Sequence, residues 1–150
     1  MEERKHTIHE ILAKSYLVYF FASLVGLFVD SFISVPFNVP YAETVAIIFF
    51  GLGPLMIAWA QFTSRHYEKS DHPHRNYFER GPYKIIRNPT HLGLLILVTG
   101  YTLVSGSLIF FGTTLIGYLI SNIFFTKYES ILSEDHGENY YSYKSKVGKL

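Results

Sequence analysis

The stretch GPYKIIRNPTHLG, residues 81–93, lies where the most polar segment of the chain meets its longest apolar segment. Asn88 followed by Pro89 is typical of a helix N-cap and a first helical residue, so we expect a helix to begin here and continue into the apolar segment. Gly81-Pro82 predicts a turn just before it. Arg87 would then lie beside the N–H groups of a helix N-terminus, which is an anion-binding arrangement. A basic loop that only anchors the helix would carry the same residues.

The composition favours a membrane protein of one domain, residues 1–150. Charged residues make up 17% of the chain, below the usual share of about 25%, and the mean hydropathy is +0.18. The absence of cysteine excludes disulfides, thiolate metal sites and a cysteine nucleophile. A net charge of +1 gives no indication of a nucleic-acid partner.

The uncharged runs predict four membrane helices. Thr44–Ser64 is long enough for one span, and Ser15–Val29 supplies another when it is extended. Leu92–Thr126 carries no charge and no histidine, and it is too long for a single span of ~20 residues. It therefore reads as a helical hairpin that breaks at residues 104–107. The first arm, begun at Pro89, is roughly 24 Å long at ~1.5 Å per residue, which is short for a span.

The basic residues favour the same count of helices. All 13 Lys and Arg residues lie before the first span, between the second and third, or after the fourth. Four spans place every one of them on a single side, which the positive-inside rule makes cytoplasmic. The opposite loops carry only Asp30 and Glu43. We therefore expect a multi-pass protein with both termini in the cytoplasm.

Two further segments have structural interpretations. Met1–Ser15 is typical of a short interfacial helix preceding the first span. Gly51 and Gly53 in the second helix allow a close helix contact or a kink, and a functional role for the pair stays open. His66, His72, His74 and His91 contain a His-x-His pattern, but a proline lies within it. A solvated histidine-rich loop is favoured over a metal site, and no metal is predicted.

The last membrane helix is expected to run from Ser107 to about Asp135 and to end at His136-Gly137. Asn122 and Glu129 are seven residues apart and so share one face of it. An asparagine within an apolar run is costly without a partner, so Asn122 serves either a helix–helix hydrogen bond or a functional cavity. Tyr140 and Tyr143 follow on a short amphipathic tail.

Together these residues carry a family resemblance. The two blocks are Gly81-Pro82-Tyr83 with Arg87-Asn88-Pro89-x-His91-x-Gly93, and Glu129 with Leu132, Gly137, Tyr140, Tyr143 and Val147. Their spacing resembles that of the isoprenylcysteine carboxyl methyltransferases, which are related to the phospholipid methyltransferases. The resemblance implies an all-α integral membrane enzyme with a C-terminal helical hairpin. It also implies S-adenosylmethionine bound by cytoplasmic loops of the half 81–147.

Three positions depart from the family pattern. His91 stands where the family usually has an aromatic residue after the proline, and His136 stands where it has a phenylalanine before Gly137. The family's Glu-Glu pair is reduced to Glu129 alone. Gly51-x-Gly53 resembles the G-x-G that phosphatidylethanolamine methyltransferases have near the cofactor.

The resemblance also implies roles for individual residues. Arg87 would pair with the cofactor carboxylate, and Glu129 would hold its ammonium group or ribose hydroxyls. Catalytic roles are expected for Arg87, His91 and Asn122. The residues expected to bind the cofactor are Gly51, Gly53, Gly81, Pro82, Tyr83, Arg87, Asn88, Pro89, His91, Gly93, Glu129, Tyr140 and Tyr143.

Three function classes follow. The favoured one is S-adenosylmethionine-dependent methyl transfer to a lipophilic acceptor at the cytoplasmic membrane interface, an isoprenylcysteine carboxylate in preference to a phospholipid amine. A sterol-reductase-like enzyme using NADPH is an alternative, because such reductases resemble this family in their C-terminal half. A non-catalytic membrane protein is the third. Membrane lipids are the expected partners, nucleic acid is not, and the sequence leaves the oligomeric state undetermined.

Overall fold

The computed structural model describes residues 2–68 and 80–149, with side chains described for residues 13–64, 80–134 and 137–149. The described chain is entirely helical apart from turns and two isolated bridges, which confirms the all-α prediction. A 3-10 helix, Gly81–Lys84, lies between the second and third α-helices. The α-helices are α1 Glu2–Asp30, α2 Ala42–Glu68, α3 Pro89–Ser105, α4 Leu108–His136 and α5 Glu138–Lys146.

Within the described part of the chain, three helical segments are long and apolar enough to cross a membrane: Ala13–Asp30, Ala42–Ser64 and Leu108–Glu134. The apolar helix α3 has 17 residues and is shorter than a usual span, as its sequence predicted. Large apolar side chains are exposed along these helices, among them Phe28 at 67%, Ile47 at 71% and Ile123 at 69%. Such a surface is unfavourable in water and suits lipid. The protein is a multi-pass, all-α membrane protein.

The N-terminal prediction was wrong in one respect. A short interfacial helix was expected over Met1–Ser15, followed by a separate span, whereas α1 is continuous from Glu2 to Asp30. The sequence between these residues contains no proline, and Gly26 is its only glycine. With nothing to break the backbone hydrogen bonds, the polar N-terminal turns and the apolar turns form one helix.

The hairpin breaks where the sequence predicted. Helix α3 ends at Ser105, and Gly106 adopts a φ of +58°, which glycine adopts without strain. Ser107 is the N-cap of α4, because its Oγ accepts a hydrogen bond from the Phe110 N–H at 3.1 Å. At the other end of α4, the N–H of Gly137 donates to the Ser133 carbonyl, which confirms the predicted stop.

The chain forms two compact units. The first unit comprises Met1–Ala42 and Thr102–Gly137, so it contains α1 and α4. These helices are antiparallel: the Ser121 hydroxyl donates to the Ser15 carbonyl at one end, and the Ser107 hydroxyl donates to Asp30 Oδ1 at 2.6 Å at the other.

The second unit comprises Glu43–Tyr101 and Glu138–Leu150. It contains nearly all of α2, the 3-10 helix, most of α3, and α5. Helices α2 and α3 are antiparallel, because Gly53 contacts Gly93 and Leu97 while Ala46 and Phe49 lie against Gly100. Residues 81–93, called the motif segment below, belong entirely to this second unit.

Candidate functional site

The motif segment begins with a tight turn against α2. Gly81 has a φ of +53°, and a Cβ atom placed on it would lie 2.5 Å from Thr63 Oγ1. Glycine is therefore required here by both conformation and space. The Pro82 carbonyl accepts hydrogen bonds from the N–H groups of Ile85 and Ile86, each at 3.1 Å, which closes the 3-10 helix.

Helix α3 begins at Pro89, as its sequence predicted. The Asn88 carbonyl accepts a hydrogen bond from the Leu92 N–H at 3.1 Å, the position expected of an N-cap residue. Asn88, Pro89 and His91 are all buried. The first turn of α3 is thus fixed in the protein interior, and Arg87 is the last residue before its N-cap.

Arg87 is half-buried between the 3-10 helix and α3. Its main-chain N–H donates to the Gly148 carbonyl at 3.0 Å. Its side chain has interactions of its own, but the buried Nε makes no hydrogen bond to any residue that the structure describes. A planar guanidinium in this position offers donors in a fork that suits a carboxylate.

The two tail tyrosines are buried in the same unit. Tyr140 is 2% exposed and Tyr143 is 7% exposed, and their ring centroids are 5.6 Å apart. The Tyr143 hydroxyl donates to the Tyr83 carbonyl at 2.7 Å. The tail therefore contacts the motif segment directly.

The predicted glycines have distinct environments. Gly53 and Gly93 are buried against each other in the contact between α2 and α3. Gly51 is exposed, and a Cβ atom on it would meet nothing within 4 Å. Packing alone explains the need for glycine at positions 53 and 93, and it gives no such reason at position 51.

Asn122 and Glu129 lie on α4, in the first unit. Asn122 is half-buried, and its main-chain carbonyl accepts a hydrogen bond from the Thr126 hydroxyl at 2.8 Å. Glu129 is 3% exposed, and its Oε1 makes no hydrogen bond within the described residues, although the residue interacts elsewhere. A buried carboxylate inside a membrane protein is costly and is kept mainly where it has a role.

The second unit contains every predicted site residue except these two. It brings the motif segment together with Tyr143 of the tail and with Gly53 of α2. His72 and His74 lie outside the described residues, as do the side chains of His66 and His136. Among the side chains that the structure describes, residues 13–64, 80–134 and 137–149, no group of three potential metal ligands occurs.

Three supporting residues were not singled out from the sequence. Thr63 contacts Gly81, and the Gly148 carbonyl holds the Arg87 main chain. The Ser133 hydroxyl donates to the main-chain carbonyl of Glu129 at 2.7 Å. Ser133 lies four residues after Glu129 and could have been found from helical spacing, whereas nothing local in the sequence signals Thr63 or Gly148.

Comparison with protein families matches this chain to the phospholipid methyltransferase model over residues 44–139, nearly two thirds of its length. Comparison with curated proteins and with solved structures found no match. The matched region contains nearly all of α2, the motif segment, the helical hairpin and Glu129. This chain therefore belongs to the phospholipid methyltransferase family, which also includes the isoprenylcysteine methyltransferases.

Proposed function

We propose that this protein transfers the methyl group of S-adenosylmethionine to a lipophilic acceptor at the cytoplasmic face of a membrane. The observation that carries the proposal is the family match over residues 44–139, because it contains both Arg87 and Glu129. The chain is proposed to act as one methyltransferase domain, with the cofactor held by residues 81–147.

The chemistry of the donor set fits this cofactor. Bound S-adenosylmethionine would supply an electrophilic methyl group on a sulfonium, together with a carboxylate and an ammonium. Arg87 can hold a carboxylate through parallel N–H donors, and Glu129 can accept hydrogen bonds from an ammonium or from ribose hydroxyls.

Aromatic residues of the second unit suit a cationic ligand. Tyr83 is half-buried and Tyr140 is buried close to the motif segment. The faces of aromatic rings attract cations. We propose that these tyrosines and His91 line the place of the adenine or the sulfonium, while the main chain of residues 81–93 sets its shape.

The distribution of charge supports a cytoplasmic site. In the first unit, the antiparallel helices place Lys14 and Lys127 at the end opposite Asp30. In the second unit, Glu43 lies at the end of the α2–α3 pair where α2 contacts Gly100. The basic motif segment lies at the opposite end of this pair, where α3 begins. Each unit, taken by itself, separates its basic residues from its acidic loop residue, so we propose that both termini are cytoplasmic.

We propose a carboxylate acceptor, such as an isoprenylated cysteine, in preference to a phospholipid amine. An ionised carboxylate attacks a methyl group without losing a proton, and removal of its water makes it more reactive. An amine must first lose a proton, and within the motif segment His91 is the only side chain suited to accept it. His91 is 2% exposed, so it is poorly placed to pass that proton to water.

A phospholipid amine is the second candidate, because the family model that matches this chain is that of the phospholipid methyltransferases. Radiolabelled S-adenosylmethionine supplied with a farnesyl-cysteine analogue, phosphatidylethanolamine or a small soluble thiol separates the possibilities. Label in the farnesyl-cysteine product is the expected result. Label only in phosphatidylethanolamine would establish the amine acceptor, and turnover of the soluble thiol alone would contradict a lipophilic acceptor.

A further inference from the structure

After α5 the chain returns to the motif segment. Ile86 and Gly148 form a parallel bridge, and the Arg87 N–H donates to the Gly148 carbonyl at 3.0 Å. Arg87 lies between the 3-10 helix and α3, where it belongs to neither helix. Its main-chain donor is therefore satisfied by a residue from the far end of the chain.

A second contact lies four residues earlier in the motif segment. The Tyr143 hydroxyl donates to the Tyr83 carbonyl at 2.7 Å, and these residues are 60 positions apart in the sequence. Tyr143 is buried and packs against the Tyr140 ring, so its phenol has a fixed position. This hydroxyl donates its proton to the protein main chain, which leaves it no proton to donate to a ligand.

We propose that residues 143–149, here called the C-terminal clasp, position Arg87 for the cofactor carboxylate. The clasp holds the main chain at Tyr83 and at Arg87, on both sides of the short linker 85–86. Tyr143 and Gly148 are positioning residues: they act through the backbone of the motif segment and contribute no group to the reaction. The inference rests on the proposed function for the identity of the ligand.

Positioning matters here because a guanidinium binds a carboxylate through two parallel hydrogen bonds. Such a pair forms at a lower entropic cost when the backbone that carries the side chain is fixed before the ligand arrives. Both ends of the 83–87 segment are hydrogen-bonded to the clasp through main-chain atoms, at the Tyr83 carbonyl and the Arg87 N–H. Loss of one clasp bond should therefore weaken cofactor binding without removing any ligand contact.

The first test replaces Tyr143 by phenylalanine, which keeps the ring and removes the donor. We expect Tyr143→Phe to weaken S-adenosylmethionine binding about two- to tenfold, the effect of one neutral hydrogen bond. Its KM for the cofactor should rise while its KM for the acceptor stays unchanged, which a general loss of stability would not produce. Tyr141→Phe, exposed on the same helix, is the matched control and should bind like the parent.

The second test asks whether the clasp exists, independently of any ligand. Paired strands lie about 4.8 Å apart, within the range that a disulfide can bridge. Gly148 has open space where a Cβ atom would be placed, and the natural chain has no cysteine. Ile86→Cys combined with Gly148→Cys should form a cross-link on mild oxidation and keep cofactor affinity, while each single variant should not cross-link within the chain.

Absence of the cross-link, or binding by Tyr143→Phe equal to that of the parent, would overturn the positioning role. If the parent itself bound no S-adenosylmethionine, the proposed function would fail, and the cross-link would still decide whether the clasp is present.

Discussion

Gly53 of α2 and Gly93 of α3 pack backbone to backbone. A Cβ atom placed on either glycine would lie 2.8 Å from the carbonyl oxygen of the other. Such a close approach is a usual way for membrane helices to associate, because lipid offers no hydrophobic force to hold them together. The contact sets the position of the first turns of α3, where Asn88 and His91 are buried.

Alanine at either glycine should therefore destabilise the second unit. Gly53→Ala and Gly93→Ala each force two helix backbones apart, and overpacking of this kind costs about 1–3 kcal/mol. Thermal unfolding in detergent measures the effect. Gly51→Ala is the matched control, because its Cβ atom would meet nothing within 4 Å, and it should be neutral or stabilising. An equal loss in all three variants would contradict the assigned contact.

The helices were predictable because their signals are local. Asn88-Pro89 marked the start of α3, Gly106-Ser107 marked the hairpin turn, and Gly137 marked the end of α4. The continuous α1 was not predicted. A change from polar to apolar residues does not by itself interrupt the hydrogen bonds of a helix, and no proline interrupts α1.

The site was predictable only in part. The motif identified the residues of the segment 81–93, but no local pattern could show that Gly148 bonds to Arg87 or that Thr63 contacts Gly81. These partners lie far apart in sequence, and the fold alone brings them together. The pairing of Gly51 with Gly53 by sequence also hid the difference between one exposed and one buried glycine.

The hairpin turn supplies a second prediction. Ser107 both caps α4 and donates to Asp30, so Ser107→Ala should lose about 0.5–2 kcal/mol of stability from the cap. The double variant with Asp30→Ala should be more stable than the sum of the single effects predicts, by about 0.5 kcal/mol or more. Unfolding midpoints in detergent for the four proteins give this coupling. Ser105→Ala, at an exposed position, is the control, and strict additivity would contradict the Asp30–Ser107 bond.

Membrane topology is the third prediction. Ser34 and Ser142 are both exposed, so each can be replaced by a single cysteine for labelling. The natural chain has no cysteine to interfere. Ser142→Cys should react with a membrane-impermeant maleimide only from the cytoplasmic side, and Ser34→Cys only from the opposite side. Intact cells and inverted vesicles provide the two sides. Labelling of both positions from the same side would contradict the proposed orientation.

The ligand-binding roles give the fourth prediction. Arg87→Ala and Glu129→Gln should each weaken S-adenosylmethionine binding by about 1.5–3 kcal/mol, or roughly ten- to a hundredfold. Isothermal titration in detergent measures the affinity, and a thermal melt confirms that each variant is folded. Arg80→Ala and Glu138→Gln, both at exposed positions, are the charge-matched controls. Folded Arg87 and Glu129 variants that bind like the controls would show that the site lies elsewhere.

The most direct test of the proposed activity is equilibrium binding of radiolabelled S-adenosylmethionine to the purified protein in detergent, with S-adenosylhomocysteine and NADPH as competitors. Saturable binding that S-adenosylhomocysteine displaces and NADPH does not is the result expected of a methyltransferase that uses Arg87 and Glu129. Binding of NADPH without S-adenosylmethionine would contradict it and indicate a reductase, and binding of neither would contradict it and indicate a non-catalytic member of the family.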